Sequence, residues 1–118
     1  MRINIKATGI ELTSALSSYV NDKVAMLEKL LIHDPAAYAD VEIGKRTQHH
    51  KTGEWFFSEI NLHTMGKIVR HVAEESDLYA AIDKMKDGIA EEIRKTEKKK
   101  NTLFRRGSRL IKGLFRRV

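Results

Sequence analysis

The chain has 118 residues, 42% apolar and 32% charged, with no cysteine and a formal net charge of +6. That length holds one domain with a modest core, not two. The missing cysteines exclude disulfides and thiolate metal centres, and no apolar run approaches the ~20 residues that span a bilayer.

The opening "RINIKAT" alternates Ile3, Ile5 and Ala7 with Arg2, Asn4 and Lys6, the pattern of a half-buried strand. It has no signal-peptide core, and the chain reads as soluble and cytoplasmic. Gly9 breaks the strand, and Thr13 is placed to cap a helix whose stripe is Leu16, Val20, Val24, Leu27 and Leu31. Pro35 forbids its continuation. "YADVEIG" is a second alternating strand, "KRTQHHKTG" a polar hairpin loop, and "EWFFSEINLH" a third strand with Phe56, Ile60 and Leu62 on one face. Gly66 turns the chain into a fourth strand, "KIVRHVA", for which Ile68/Val72 and Val69/Ala73 are both credible inward sets. Ser76 or Asp77 can cap a last helix striped by Leu78, Ile82, Met85, Ile89 and Ile93, with Gly88 in mid-helix at a cost of about 1 kcal/mol relative to alanine.

The order is β-α-β-β-β-α. Two apolar stripes need one sheet face to cover, so the expected fold is α+β, a four-stranded sheet with both helices packed on one face. Residues 1–98 form the folded domain in this reading, and 99–118 a basic amphipathic tail that orders on binding.

Signs of catalysis are absent: there is no glycine-rich phosphate loop and no nucleophile in a recognisable turn, and the five histidines lack metal-ligand spacing. No cofactor and no small-molecule substrate are expected. Charge is the stronger signal. Up to Glu97 there are thirteen Lys or Arg against sixteen Asp or Glu, a net of −3, and from Lys98 onward there are nine cations and no acid. Candidate phosphate-binding residues are therefore Lys23 and Lys29, assigned to the first helix, then Lys84, Lys86, Arg94 and Lys95 on the second. The acid-free end adds Lys98, Lys99, Lys100, Arg105, Arg106, Arg109, Lys112, Arg116 and Arg117. Between those cations Leu103/Phe104, Leu110/Ile111 and Leu114/Phe115 recur at about helical spacing, a pattern that also suits an anionic membrane surface. Trp55 and Phe57 alternate with Phe56, and one of these sets falls on the uncovered sheet face, where an aromatic can stack on a base or form an apolar contact.

"IELTSALSSYVNDKVAMLEKLL" resembles the first helix of the ribosome hibernation promoting factor family, also called ribosome-associated inhibitors, and "ESDLYAAIDKMKDGIAEEIRK" resembles its second. The Asp77, Leu78, Tyr79, Ala81, Ile82, Asp83 series and the turn near Gly66 carry the likeness, which covers roughly residues 1–98 in the short type of the family. The resemblance implies a non-enzymatic domain that occupies the mRNA and tRNA decoding region of the small ribosomal subunit, against its rRNA. Lys23, Lys29, Arg94 or Lys95, and Lys98 then match basic family positions. Gly88 and Glu91 stand where relatives often carry Lys and Arg, so the groove bordered by the solvent faces of the two helices is less basic than the family pattern implies. Pairing of ribosomes and silencing of single ones both stay open, as do two rival readings, an adaptor acting through the amphipathic tail and a general RNA-binding module.

Overall fold

The computed structural model describes the backbone of residues 1–46 and 53–116, and side chains as far as residue 98. The expected hairpin tip, with His49 and His50, lies outside the described residues.

Strand β1 (Arg2–Thr8) runs parallel to β2 (Tyr38–Arg46), which pairs antiparallel with β3 (Trp55–Thr64), and β3 pairs antiparallel with β4 (Lys67–Glu75). Spatial order equals sequence order. Helix α1 (Ser14–Ala25) makes the β1–β2 crossover and α2 (Leu78–Arg116) follows the sheet. Thr13 caps α1, its Oγ1 accepting from Leu16 N at 3.2 Å. Asp77 caps α2, with Oδ2 accepting from Ala80 N at 3.2 Å.

Both apolar stripes are buried as the periodicity requires: Leu16, Val20, Val24, Leu27 and Leu31 from the first, and Leu78, Ile82, Met85, Ile89 and Ile93 from the second. They meet Ala39, Val41, Ile43, Ile60 and Leu62 on one sheet face. Ser58, fully buried among them, donates to the Met85 thioether at 2.8 Å. Helix α1 is shorter than its stripe, however. It ends at Ala25, and Leu27 N to Val24 O and Leu30 N to Leu27 O bonds tighten the chain into a single 3-10 turn, Glu28–Leu30. A step of three then four residues keeps Leu27 and Leu31 inward through that turn. Lys29 accordingly sits on the turn and not on the first helix.

The register of β4 is settled by its pairing: Leu62 faces Val69 and Ser58 faces Ala73, so Val69 and Ala73 turn inward and Ile68 is 62% exposed. The β3–β4 turn is Met65-Gly66, both with positive φ (50° and 70°). Asp34 holds it from below, Oδ2 accepting from Met65 N and Thr64 Oγ1, each at 2.8 Å, which keeps this carboxyl below its usual range.

Gly44 explains how β1 comes so close. A Cβ there would sit 2.1 Å from the Thr8 carbonyl oxygen and 3.0 Å from Phe57 Cε1. Gly88 has a matching reason: His71, inward on β4, lays its ring against the helix at the point where the glycine leaves room.

Candidate nucleic-acid interface

The helix layer brings some of the predicted cations together and neutralises most of them. Lys23, in the last turn of α1, reaches Asp83 on α2 at 3.2 Å and lies 5.4 Å from the centre of the Tyr19 ring. Lys84 pairs with Glu75, Lys86 with Asp87 at 2.7 Å, and Lys95 with Glu91 at 3.5 Å one turn back. Lys29 and Arg94 are exposed and make no ion pair among the described residues. Lys98 is exposed as well. From Leu78 to Lys98 the helix carries five cations (Lys84, Lys86, Arg94, Lys95, Lys98) and five acids (Asp83, Asp87, Glu91, Glu92, Glu97), so this stretch has no net charge. Exposed pairs of this kind are worth at most about 1 kcal/mol. An incoming phosphate can exchange for the carboxylate, but it gains less than it would from an unpaired lysine.

The seam between the helices holds residues that sequence spacing did not single out. Tyr19 donates to Asp83 Oδ1 at 2.6 Å and meets Tyr79 edge-on with ring centres 4.8 Å apart. The bond to Asp83, with partial burial, pushes the Tyr19 phenol up to about 12, and the same bond with Lys23 holds Asp83 low. Tyr19/Lys23 and Tyr79/Asp83 are each i,i+4 pairs, which is the one trace of the seam visible in the sequence.

The uncovered sheet face is no cationic surface. Across three strands, Arg2 lies over Tyr38 at 4.5 Å and Tyr38 stacks on His63 at 4.2 Å. Asp40 accepts from Asn4 at 2.8 Å and meets His63 Nε2 at 3.1 Å, and Glu59 accepts from Arg70 at 2.9 Å. These donors hold both carboxyls below their usual range. The central depression on this face is lined by Lys6 but also by Asp40, Glu42 and Glu59. Of Trp55 and Phe57, the predicted aromatics that fall on this face, Phe57 is only 2% exposed, covered by the Arg46 guanidinium at 4.2 Å, and is not available to stack on a base.

The remaining candidates share one element. Helix α2 runs unbroken to Arg116, so the expected boundary at 98 is not marked by a break in the backbone. Lys99, Lys100, Arg105, Arg106, Arg109, Lys112 and Arg116 lie on this helix, with side chains outside those described, and Arg117 lies beyond the described residues. Thirty-nine residues make about 58 Å of helix, and the molecule measures 69 × 32 × 18 Å. The last buried residue of α2 among those described is Ile93. The helix therefore outruns the sheet it covers and carries its acid-free half past it.

Residues 3–101 match the family described as Sigma 54 modulation protein / S30EA ribosomal protein. The chain belongs to this family. It is 31% identical over 99 residues to the ribosome hibernation promoting factor of Escherichia coli (strain K12), spanning 84% of this chain and 96% of that protein. Its identity to the ribosome hibernation promotion factor of Bacillus subtilis (strain 168) is 30% over 105 residues, 89% of this chain but 53% of that one. In three dimensions it is similar to the Protein Y N-terminal domain of Thermus thermophilus, with a TM-score of 0.70 at 28% identity, covering 81% of this chain and 99% of that domain. A ribosomal subunit interface protein from Coxiella burnetii, 15% identical with a TM-score of 0.64, shares the fold. The family match stops at residue 101, so the apolar and cationic series from Leu103 onward lies outside it. Among the described residues, no three His, Asp or Glu gather as a metal site would require, and no helix is long and apolar enough to cross a membrane.

Proposed function

We propose that this protein binds the ribosome and holds it out of translation, its α+β domain occupying the mRNA and tRNA decoding region of the small subunit. The activity is steric occupancy, not catalysis, and it places the protein with ribosomes in the cytoplasm. The observation that carries this reading is the likeness of almost the whole folded body to ribosome hibernation promoting factors, at 30–31% identity over 96% of their length.

The charge distribution supports a division of labour. The body, at −3, supplies shape, and its cations Lys23, Lys84, Lys86 and Lys95 meet rRNA phosphates only by exchanging partners. Lys29 and Arg94, exposed and without an ion pair among the described residues, make the easier contacts in this scheme. The nine cations from Lys98 to Arg117 supply most of the salt-dependent affinity, because each neutralised phosphate releases condensed counterions.

Co-sedimentation of the full chain and of residues 1–98 with purified ribosomes, across a salt series, tests the proposal. Both should sediment, the full chain more tightly and with a steeper salt dependence. If neither does, the ribosome reading fails. If unrelated duplex RNA competes as well as ribosomes do, the protein is a general RNA binder.

A further inference from the structure

Phosphate binding accounts for the cations beyond Lys98 but leaves the residues between them without a use. Placed on the helical backbone at about 100° per residue, positions 103, 104, 110, 111, 114 and 115 fall within an arc of roughly 140°. All six are Leu, Ile or Phe. Positions 105, 106, 109, 112 and 116 fall in the opposite arc, and all five are Arg or Lys. The apolar arc is in register with the stripe of Leu78, Ile82, Met85, Ile89 and Ile93. One face of a single helix is thus apolar along both halves. The sheet covers the first half, Thr96 and Lys100 interrupt the face, and it resumes at Leu103.

Three kinds of partner could take such a face, and charge separates them. RNA matches the cations and has no need of six large apolar residues. A second copy would bring a second acid-free segment of nine cations against the first, and like charges oppose that pairing. A bilayer with acidic headgroups satisfies both arcs together: the apolar arc sinks to the acyl boundary and the flanking Arg and Lys meet lipid phosphates. The stripe that ends at Ile93 and the arc that begins at Leu103 are ten residue steps apart, about 15 Å of helix. That spacing, and the cheap bend offered by Gly107, let the body clear the surface.

We propose that residues 103–116 form an interfacial helix that docks this protein on anionic phospholipid membrane. This function lies outside the family match and does not depend on the ribosome reading. Because membrane and ribosome would draw on the same cations, vesicles should compete with ribosomes for the extension.

The test is flotation of the full chain with phosphatidylcholine–phosphatidylglycerol vesicles and with phosphatidylcholine alone. It is compared with a variant carrying Leu103→Ser, Leu110→Ser and Leu114→Ser, which keeps every cation and lies beyond Ile93, the last buried residue of α2 among those described. The full chain should float with the acidic vesicles only. The variant should lose binding by more than about tenfold, with ribosome co-sedimentation unchanged. Flotation equal in both proteins would mean polycation adsorption and overturn the proposal. So would an absence of flotation by a full chain that stays monomeric, which assigns the extension to RNA alone. A concentration-dependent dimer of the full chain, lost in the variant and without flotation, would assign the apolar face to a second copy and overturn it too.

Discussion

The imidazole of His71 fills the space in which Gly88 lacks a side chain: a Cβ at Gly88 would lie 2.0 Å from His71 Nε2. The glycine in the middle of α2 is therefore one half of a packing pair with β4. Gly88→Ala gains about 1 kcal/mol of helix propensity but must displace the ring, and overpacking costs about 1–3 kcal/mol. A net loss near 1 kcal/mol is expected in urea unfolding. In a His71→Ala background the same substitution should stabilise. A stabilising Gly88→Ala in the parent chain would show that the ring swings away freely.

Gly44 has no such escape, because the obstructing atom is backbone. A Cβ at this position would lie 2.1 Å from the Thr8 carbonyl oxygen, so Gly44→Ala must push β1 away from β2. The expected loss is about 3 kcal/mol or more, and hydrogen exchange should quicken first in Arg2–Thr8. Uniform protection in that strand would contradict the close approach.

Tyr19 and Asp83 set opposite limbs of a pH profile. The Tyr19 phenol has a higher pKa folded, about 12, than its ordinary 10.0, so its contribution is whole below pH 10 and fades as pH rises towards 12. Asp83 is held below its ordinary 3.8, so its contribution is present above that value and is lost as pH falls through the lower folded one. Tyr19→Phe should cost about 0.5–1 kcal/mol near neutrality, in keeping with a partly exposed hydrogen bond. It should also raise the Asp83 carboxyl towards its ordinary value in an NMR titration. An unmoved Asp83 would show that Lys23 alone holds it low.

Charge reversal of Arg105, Arg106 and Arg109 to Glu should weaken ribosome binding and reduce the slope of log affinity against log salt by about 3. An unchanged slope would remove the extension from the phosphate-contacting surface.

How far the sequence reached depends on the range of the interaction involved. Helix stripes and caps are local patterns, and Leu16 to Leu31, Leu78 to Ile93 and the Thr13 cap were all legible. The register of β4 was not, since Ile68/Val72 and Val69/Ala73 fit a half-buried strand equally well until Leu62 and Ser58 choose between them. The cations were visible, but not the carboxylates waiting for them: Lys23 and Asp83 are 60 residues apart in the chain and 3.2 Å apart in space. The end of α1 at Ala25 was missed because a step of three residues suits a 3-10 turn as well as a helix. Loss of acids after Glu97 marks a change of charge, and the backbone of α2 runs on through it to Arg116.

The strand order β1-β2-β3-β4 follows the order in which the chain is synthesised. Each antiparallel strand can pair as soon as it emerges, whereas β1 waits across the α1 crossover for its parallel partner β2. The cover comes last. Until Leu78–Ile93 has been made, Ile43, Ile60 and Leu62 form one side of a sheet with half its helix layer missing. A nascent chain that stalls before Ile93 therefore presents a sticky apolar sheet to its neighbours, and protection against aggregation during synthesis rests on the same helix that later reaches beyond the domain.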